Sequence, residues 1–425
     1  MRLQKDLFKK LFIITLSGLI SSENFAQTFT LDSVITLARK NYPAIRQKNL
    51  VRKVSELNME NIGKGYLPQL SLNGQASYQS EVTKVDISVP GITIPSPNKD
   101  QYKFTADVNQ LIFDGGLTKE QRTVQQFDAA VNEQQVEVEW HKVRDRLNQL
   151  YLNILYLNEQ LKQVDLIKSD LTTGIRKVNA QVQNGIAFRS NLNILKAELI
   201  KSDQREIELR SSRKVLIETL GLFINQSLDE NIVLQLPVTP ESITANISRP
   251  ELALFKNQSE LLNEQNKIIH SRTLPKASLF AQGGYGRPGL NLLKNEFDFF
   301  YIGGIRFTWP LNGLYTFKND KKIIVINQQM INIQKETFLL NTHADLKKQR
   351  GEMDKLALLI NSDNEIIGLR KSITEASKAQ LDNGVATASD YLREVNAEDQ
   401  ARQSLISHQL QLLQAQINYR TITGE

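Results

Sequence analysis

The sequence contains no cysteine. That excludes disulfide scaffolds, thiolate metal sites, cysteine nucleophiles and a lipid-modified N-terminal cysteine. Proline and glycine are scarce, 11 and 21 among 425 residues, too few for a fibrous or low-complexity chain. Past the N-terminus there is no run of eighteen apolar residues, which excludes a multi-span helical membrane protein. The four histidines, 141, 270, 343 and 408, show no His-Glu-x-x-His spacing. Glu137 and His141, one helical turn apart, read as a surface pair. Gly283-Gly284-Tyr285-Gly286-Arg287-Pro288-Gly289 lacks the Lys-Ser/Thr of a phosphate loop and reads as a turn that ends a strand. No serine nucleophile elbow is present. These absences argue against an enzyme and imply no cofactor and no metal. The net charge of +6 is mild for this length and does not point to nucleic acid.

What is present suffices for a core: 40% of residues are hydrophobic and 23% charged. Residues 1–27 have the form of an exported signal peptide. Arg2, Lys5, Lys9 and Lys10 precede the short apolar run Leu11–Ile20, and Asn24-Phe25-Ala26-Gln27 offers cleavage options. The rest of the chain repeats itself. Pro43, Pro68 and Tyr78 recur at a constant spacing as Pro250, Pro275 and Tyr285. Phe113-Asp114-Gly115 is answered by Leu311-Asn312-Gly313, and Gln183-Asn184-Gly185-Ile186-Ala187 by Asp382-Asn383-Gly384-Val385-Ala386. The order is the same in both halves, so the sequence divides into a first repeat, 28–247, and a second, 248–425. The linker is 221–247, with Pro237 and Pro240.

Each half predicts a lead-in helix, two strands and two long helices joined at an Asn-Gly pair. The strands, about 67–80, 102–113, 275–286 and 297–310, alternate with period two. Leu70, Leu72, Gly74, Ala76 and Tyr78 share one face, and Ser71, Asn73, Gln75 and Ser77 the other. Phe300 and Ile302 break the same pattern in the last strand. Strands of about ten residues with one apolar face suit a membrane barrel, and Tyr66, Tyr78, Tyr102, Phe113, Phe297 and Trp309 at their ends suit interfacial girdles. A soluble sheet packed on helices would read the same way. Gly116–Gln183 has no proline and would run roughly 100 Å as a helix. Its apolar residues, from Leu147 through Ile154 and Leu161 to Val178, step by three and four. So narrow a stripe needs lateral helical neighbours. Asn184-Gly185 and Asn383-Gly384 suit helix C-caps, since glycine takes positive φ freely. Four strands cannot close a bilayer-spanning barrel. If they enter a membrane, the chain must oligomerise, because open edges in lipid cost several kcal/mol per unpaired group.

The leader, the duplicated halves, the four strands, the paired helices and the two Asn-Gly-x-Ala tips resemble the TolC family of outer-membrane efflux proteins. The most specific segment is Leu381-Asp382-Asn383-Gly384-Val385-Ala386-Thr387-Ala388-Ser389-Asp390-Tyr391-Leu392. It is similar to the family pattern Tyr-x-x-Gly-x-x-x-x-x-Asp-Val-Leu-x-Ala. The resemblance covers about residues 28–425. It implies a mainly α fold with membrane β, a homotrimer sharing a 12-stranded β-barrel in outer-membrane lipid, and a periplasmic α-helical tunnel. It implies a passive duct that docks with a periplasmic adaptor and an inner-membrane pump of RND or ABC type. It places loops 81–101 and 286–296 outside the cell, and Asn184, Gly185, Asn383 and Gly384 at the tips where the adaptor docks. Asp390 matches an aspartate that rings the channel entrance, while the second such position holds Arg393. The family's tip Tyr is Leu381 here, its tip Arg is Ala386, and its partner Asp is Asn191. The alternative is a periplasmic or secreted coiled-coil scaffold or adhesin without a membrane channel.

Overall fold

The computed structural model describes residues 28–83, 96–238, 246–292 and 294–424. The leader 1–27 and most of the proline-rich loop 85–98 lie outside the described residues. In chain order the elements are β1 (Thr28–Phe29), α1 (Leu31–Asn41), α2 (Gln47–Gly63), β2 (Gln69–Tyr78), β3 (Asp100–Phe113), α3 (Leu117–Gln183), α4 (Arg189–Ile224), β4 (Val233–Leu234), α5 (Pro250–Ser271), β5 (Lys276–Arg287), β6 (Asp298–Thr308), α6 (Gly313–Asp382) and α7 (Ala388–Thr423). A 3-10 turn opened by Pro43 leads into α2, and Pro250 starts α5, where a missing N–H costs nothing. Among the described residues no helix is long and apolar enough to cross a membrane.

The chain forms two compact units, each drawing on both halves of the sequence. One takes the chain up to Tyr42, His141–Ile247 and Ala344–Glu425. Here the helix stripe is buried as its spacing requires: Leu147, Ile154, Leu161, Val164, Leu171 and Val178 are all inside. The linker contributes a strand that its composition did not announce. β4 pairs in parallel with β1, Thr28 opposite Val233 and Phe29 opposite Leu234. The buried Tyr151 hydroxyl reaches the carbonyls of Phe29 at 2.8 Å and Gln235 at 2.6 Å, and burial pushes its pKa up to about 12. The linker also begins later than the glycine suggested. α4 runs through Gly221 to Ile224, and Asn225 ends it in the left-handed region at φ 55°. Gly221 is needed for contact rather than for breaking the helix, since a Cβ there would stand 2.6 Å from the Gln226 carbonyl. Asn41 donates to the Ile224 carbonyl at 2.7 Å and satisfies the exposed helix end.

The second unit takes Pro43–Trp140 and Ser248–His343. Its centre is one antiparallel sheet in the order β2-β3-β5-β6. Registered pairs put Leu70 opposite Val108, Phe104 opposite Tyr285, and Tyr285 opposite Phe299. One face is therefore apolar across all four strands, and it is bare: Phe299 is 82% and Tyr301 86% exposed. The glycine run at 283–287 lies inside β5 and does not form a turn. A Cβ on Gly284 would fall 2.5 Å from the Phe300 ring, and one on Gly286 would fall 2.8 Å from the Tyr102 carbonyl. The glycines admit the ring and the neighbouring strand. This also explains why Phe300 stands on the polar face: its ring fills the dent that Gly284 leaves and is buried.

Asp114 joins the sheet to α3. Its carboxylate accepts from the Tyr66 hydroxyl at 2.9 Å and from the N–H groups of Gly116 at 2.9 Å and Thr118 at 2.7 Å. That satisfies the free donors of the helix start. Glu137 bridges Lys48 on α2 at 2.8 Å. His141 is 7% exposed, so it is a buried polar residue and not the surface residue expected.

Candidate functional site: the helix tips

The sequence singled out two Asn-Gly tips, and the same backbone device builds both. At the first, Ile186 N–H bonds the Gln181 carbonyl at 2.8 Å and Gly185 N–H bonds Val182 at 3.1 Å. At the second, Val385 N–H bonds Gln380 at 2.8 Å and Gly384 N–H bonds Leu381 at 3.0 Å. These are paired 6→1 and 5→2 bonds of a Schellman cap. Gly185 and Gly384 both sit at φ 71° with open space where a Cβ would go. Backbone handedness alone therefore demands glycine. Asn383 also donates its side-chain amide to the Ala379 carbonyl at 2.8 Å.

Past the glycine the two tips diverge. Thr387 caps α7, its hydroxyl accepting from Asp390 N–H at 3.2 Å. The Asp390 carboxylate in turn accepts from Thr387 N–H at 3.2 Å and from the Thr387 hydroxyl at 2.6 Å. This is a complete capping box. The Thr387 hydroxyl bond, with its N–H and the nearby Arg393, holds the Asp390 carboxyl below its ordinary pKa. Arg393 is exposed, with its guanidinium 3.1 Å from Glu394 and 3.8 Å from Asp390. Its charge is thus met by two acids of its own helix. In the first tip the cap position is Phe188, which offers no side-chain bond. Asn191 occupies the place of Asp390.

Beneath the tips the two hairpins share one apolar cluster. Leu171, Val178, Leu192, Leu195, Leu381, Ala388, Tyr391 and Leu392 are buried together. Leu381, which stands where the family's tip Tyr falls, is 6% exposed. Packing replaces a polar link there. Burial raises the Tyr391 phenol to about 12. Polar ties flank the cluster. Lys177 meets Asp382 at 2.8 Å, and Arg205 spans Asp399 at 3.4 Å and Gln160 at 2.7 Å. Burial outweighs these contacts at Asp399 and pushes its carboxyl up. The sequence reading missed Lys177, Arg205 and Asp399, because each contact joins residues far apart in the chain. Outside the cluster, Ile186, Phe188 and Val385 project almost fully exposed, Phe188 at 81%.

The outer membrane efflux protein family model matches residues 34–225. Most of the chain also superimposes on solved outer-membrane proteins. VceC from Vibrio cholerae aligns at TM-score 0.67 and 15% identity, over 93% of this chain and 96% of that one. Over residues 34–225 the chain is thus similar to the outer membrane efflux protein family. The open-state MtrE outer membrane channel of Neisseria gonorrhoeae aligns at TM-score 0.68 and 15% identity, covering 93% and 88%. CusC, whose structures concern folding and transmembrane channel formation, aligns at 0.69 and 14%, covering 92% and 91%. At such identities the structures carry the fold alone. A stretch of 85 residues is 31% identical to a ubiquitin-related modifier 1 homolog of Drosophila willistoni, covering 85% of that protein but 20% of this chain. It gives no account of the rest of the molecule. The matched family is one of outer membrane efflux proteins, and the structural neighbours include outer membrane channels.

Proposed function

We propose that three copies of this chain form the outer-membrane duct of a tripartite efflux system. The observation that carries this is the sheet. Its apolar face is exposed on all four strands, and β2 and β6 leave open edges. In lipid those edges need partners, and a sheet of this size closes only with other copies of itself. Three sheets give twelve strands, enough to leave a lumen. Outer-membrane lipid then covers the apolar face, and the long helices continue as a periplasmic tunnel. Residues 28–247 and 248–425 act as two copies of one building unit. A periplasmic adaptor docks at Asn184, Gly185, Asn383 and Gly384, where the exposed Ile186, Phe188 and Val385 offer apolar contact. An inner-membrane pump supplies the energy. Asp390 and Arg393 stand at the entrance.

The test is native mass spectrometry of the detergent-extracted protein together with single-channel recording. A mass of three chains with small, discrete conductance events is the expected result. A monomer without conductance refutes the duct. At the entrance, Asp390→Ala is expected to alter cation preference or block by trivalent cations, and unchanged behaviour removes Asp390 from the lumen.

A further inference from the structure

The polar face of the sheet carries charge in an arrangement the duct itself does not require. Two cations lie over aromatic rings. Lys103 Nζ stands 4.8 Å from the centre of Phe300, and the Arg306 guanidinium 4.6 Å from that of Phe280. Both rings rest on glycines of the adjacent strand. Phe300 covers Gly284, and Phe280 lies 3.2 Å from the Cβ position of Gly304. Each glycine gives its ring a seat, and each ring holds a cation over its negative π-face. Lys103 pairs with Gly286 and Arg306 with Ser278. The two backbone positions are thus eight β5 residues apart, roughly 26 Å at a strand rise of about 3.3 Å, while the charged groups lie closer, over the Phe300 and Phe280 rings.

Between these levels lies Asp107, whose carboxylate is saturated by neutral donors. Asn73 donates at 2.6 Å and Thr105 at 2.9 Å, and Gln282 completes the set. On the same face Lys276 adds a third cation, and Asp298 is met by Lys294 at 3.3 Å. Among the described residues, neither Lys103 nor Arg306 forms a salt bridge, and both are exposed. The face therefore carries more positive than negative charge, with Lys103 within electrostatic reach of Asp107. Its single mid-level carboxylate is already occupied by hydrogen bonds.

We propose that this face is an anion-attracting strip lining the barrel, with Lys103 and Arg306 as its specificity-determining residues for anionic solutes. The inference rests on the trimeric barrel above, where the polar face turns to the lumen and the cations are repeated in each copy. Charge of one sign on low-dielectric walls raises the local concentration of counter-ions by about 10-fold to 1,000-fold. The strip is distinct from the helix tips, where Arg393 is met by acids.

The test uses the full chain in planar bilayers, with inositol hexakisphosphate as a polyanionic probe added to each side in turn. Voltage-dependent block from one side is expected, weakening as salt rises from 0.1 M to 1 M because the screening length shrinks from about 10 Å to about 3 Å. K103Q/R306Q should raise the half-blocking concentration at least ~10-fold, while K103R/R306K should retain block. If K103Q/R306Q does not assemble, R306Q alone should shift block in the same direction, because it keeps Lys103 over Phe300 and changes one exposed side chain. Conducting channels in which the neutral variants block like the wild type, or wild-type channels that neither face's probe blocks, overturn the strip and leave the duct standing. Absence of any wild-type channel removes the duct, and the strip with it.

Discussion

The two helix tips share a backbone and differ in everything attached to it. Both close with the same pair of Schellman bonds around a glycine at φ 71°. After that, the second tip is tied down by its own residues, Thr387 and Asp390 forming a capping box and Leu381 lying in the apolar cluster. The first has Phe188 at its cap position, exposed and without a cap bond, and Val182 only partly buried where its counterpart Leu381 is enclosed. The turn geometry is therefore set by glycine, while local stability is set by the neighbours. The second tip should be the more protected of the two, and the first the one more open to a partner.

Leu381→Ala should break this difference most. Emptying a buried leucine site costs about 2–5 kcal/mol, and Val182→Ala at the matching place should cost distinctly less. Amide hydrogen exchange over 181–191 and 380–390 reads both. Equal protection losses would show that the two tips share the cluster evenly. Next comes Thr387→Ala, which removes a cap and should cost about 1 kcal/mol of α7 stability, seen as faster exchange at Asp390 and Tyr391. Phe188→Thr with Asn191→Asp should work in the opposite direction, slowing exchange at the first tip by building the missing box. No slowing would mean that α4 begins without need of a cap.

The third effect depends on pH. Burial raises the Asp399 carboxyl, so the folded state holds that proton more tightly than the unfolded state does. Stability from this group is present below its unfolded pKa and is lost as pH rises through the folded value. Asp399→Asn should therefore gain on the wild type in thermal midpoint as pH rises from acid to neutral. A gap that is constant with pH would mean the carboxyl titrates normally. Asp390 has the opposite sign. Its lowered pKa makes the cap strongest above the unfolded pKa and weakens it as pH falls through the folded one. The smallest effect is expected from Lys177→Ala. Lys177 and Asp382 are both substantially exposed, so their bridge contributes no more than ~1 kcal/mol. A larger loss in melting experiments would make it part of the closure.

Much of this molecule could be read locally. The period-two alternation placed four strands within a few residues of β2, β3, β5 and β6. The long proline-free run with apolar steps of three and four placed α3, and the internal repeat placed α6. Asn184-Gly185 and Asn383-Gly384 marked the caps, because positive φ is a property of one residue. The site was legible only in its frame. Asp390 was visible only through the resemblance, as an entrance acid, and not as half of a capping box. The linker's proline content gave no sign of β4, whose two residues pair with the start of the described chain.

By itself, then, the sequence determined the elements, their faces and the glycine turns, since these follow from contacts two to five residues apart along the chain. The tertiary structure alone decided that Leu381 is sealed beneath both hairpins, that Phe300 lies in the dent at Gly284, and that Lys103 and Arg306 ride over aromatic rings. Those facts depend on strand register and on helices meeting from opposite halves of the chain. No local periodicity encodes which of two equally apolar residues will find itself enclosed when distant segments pack.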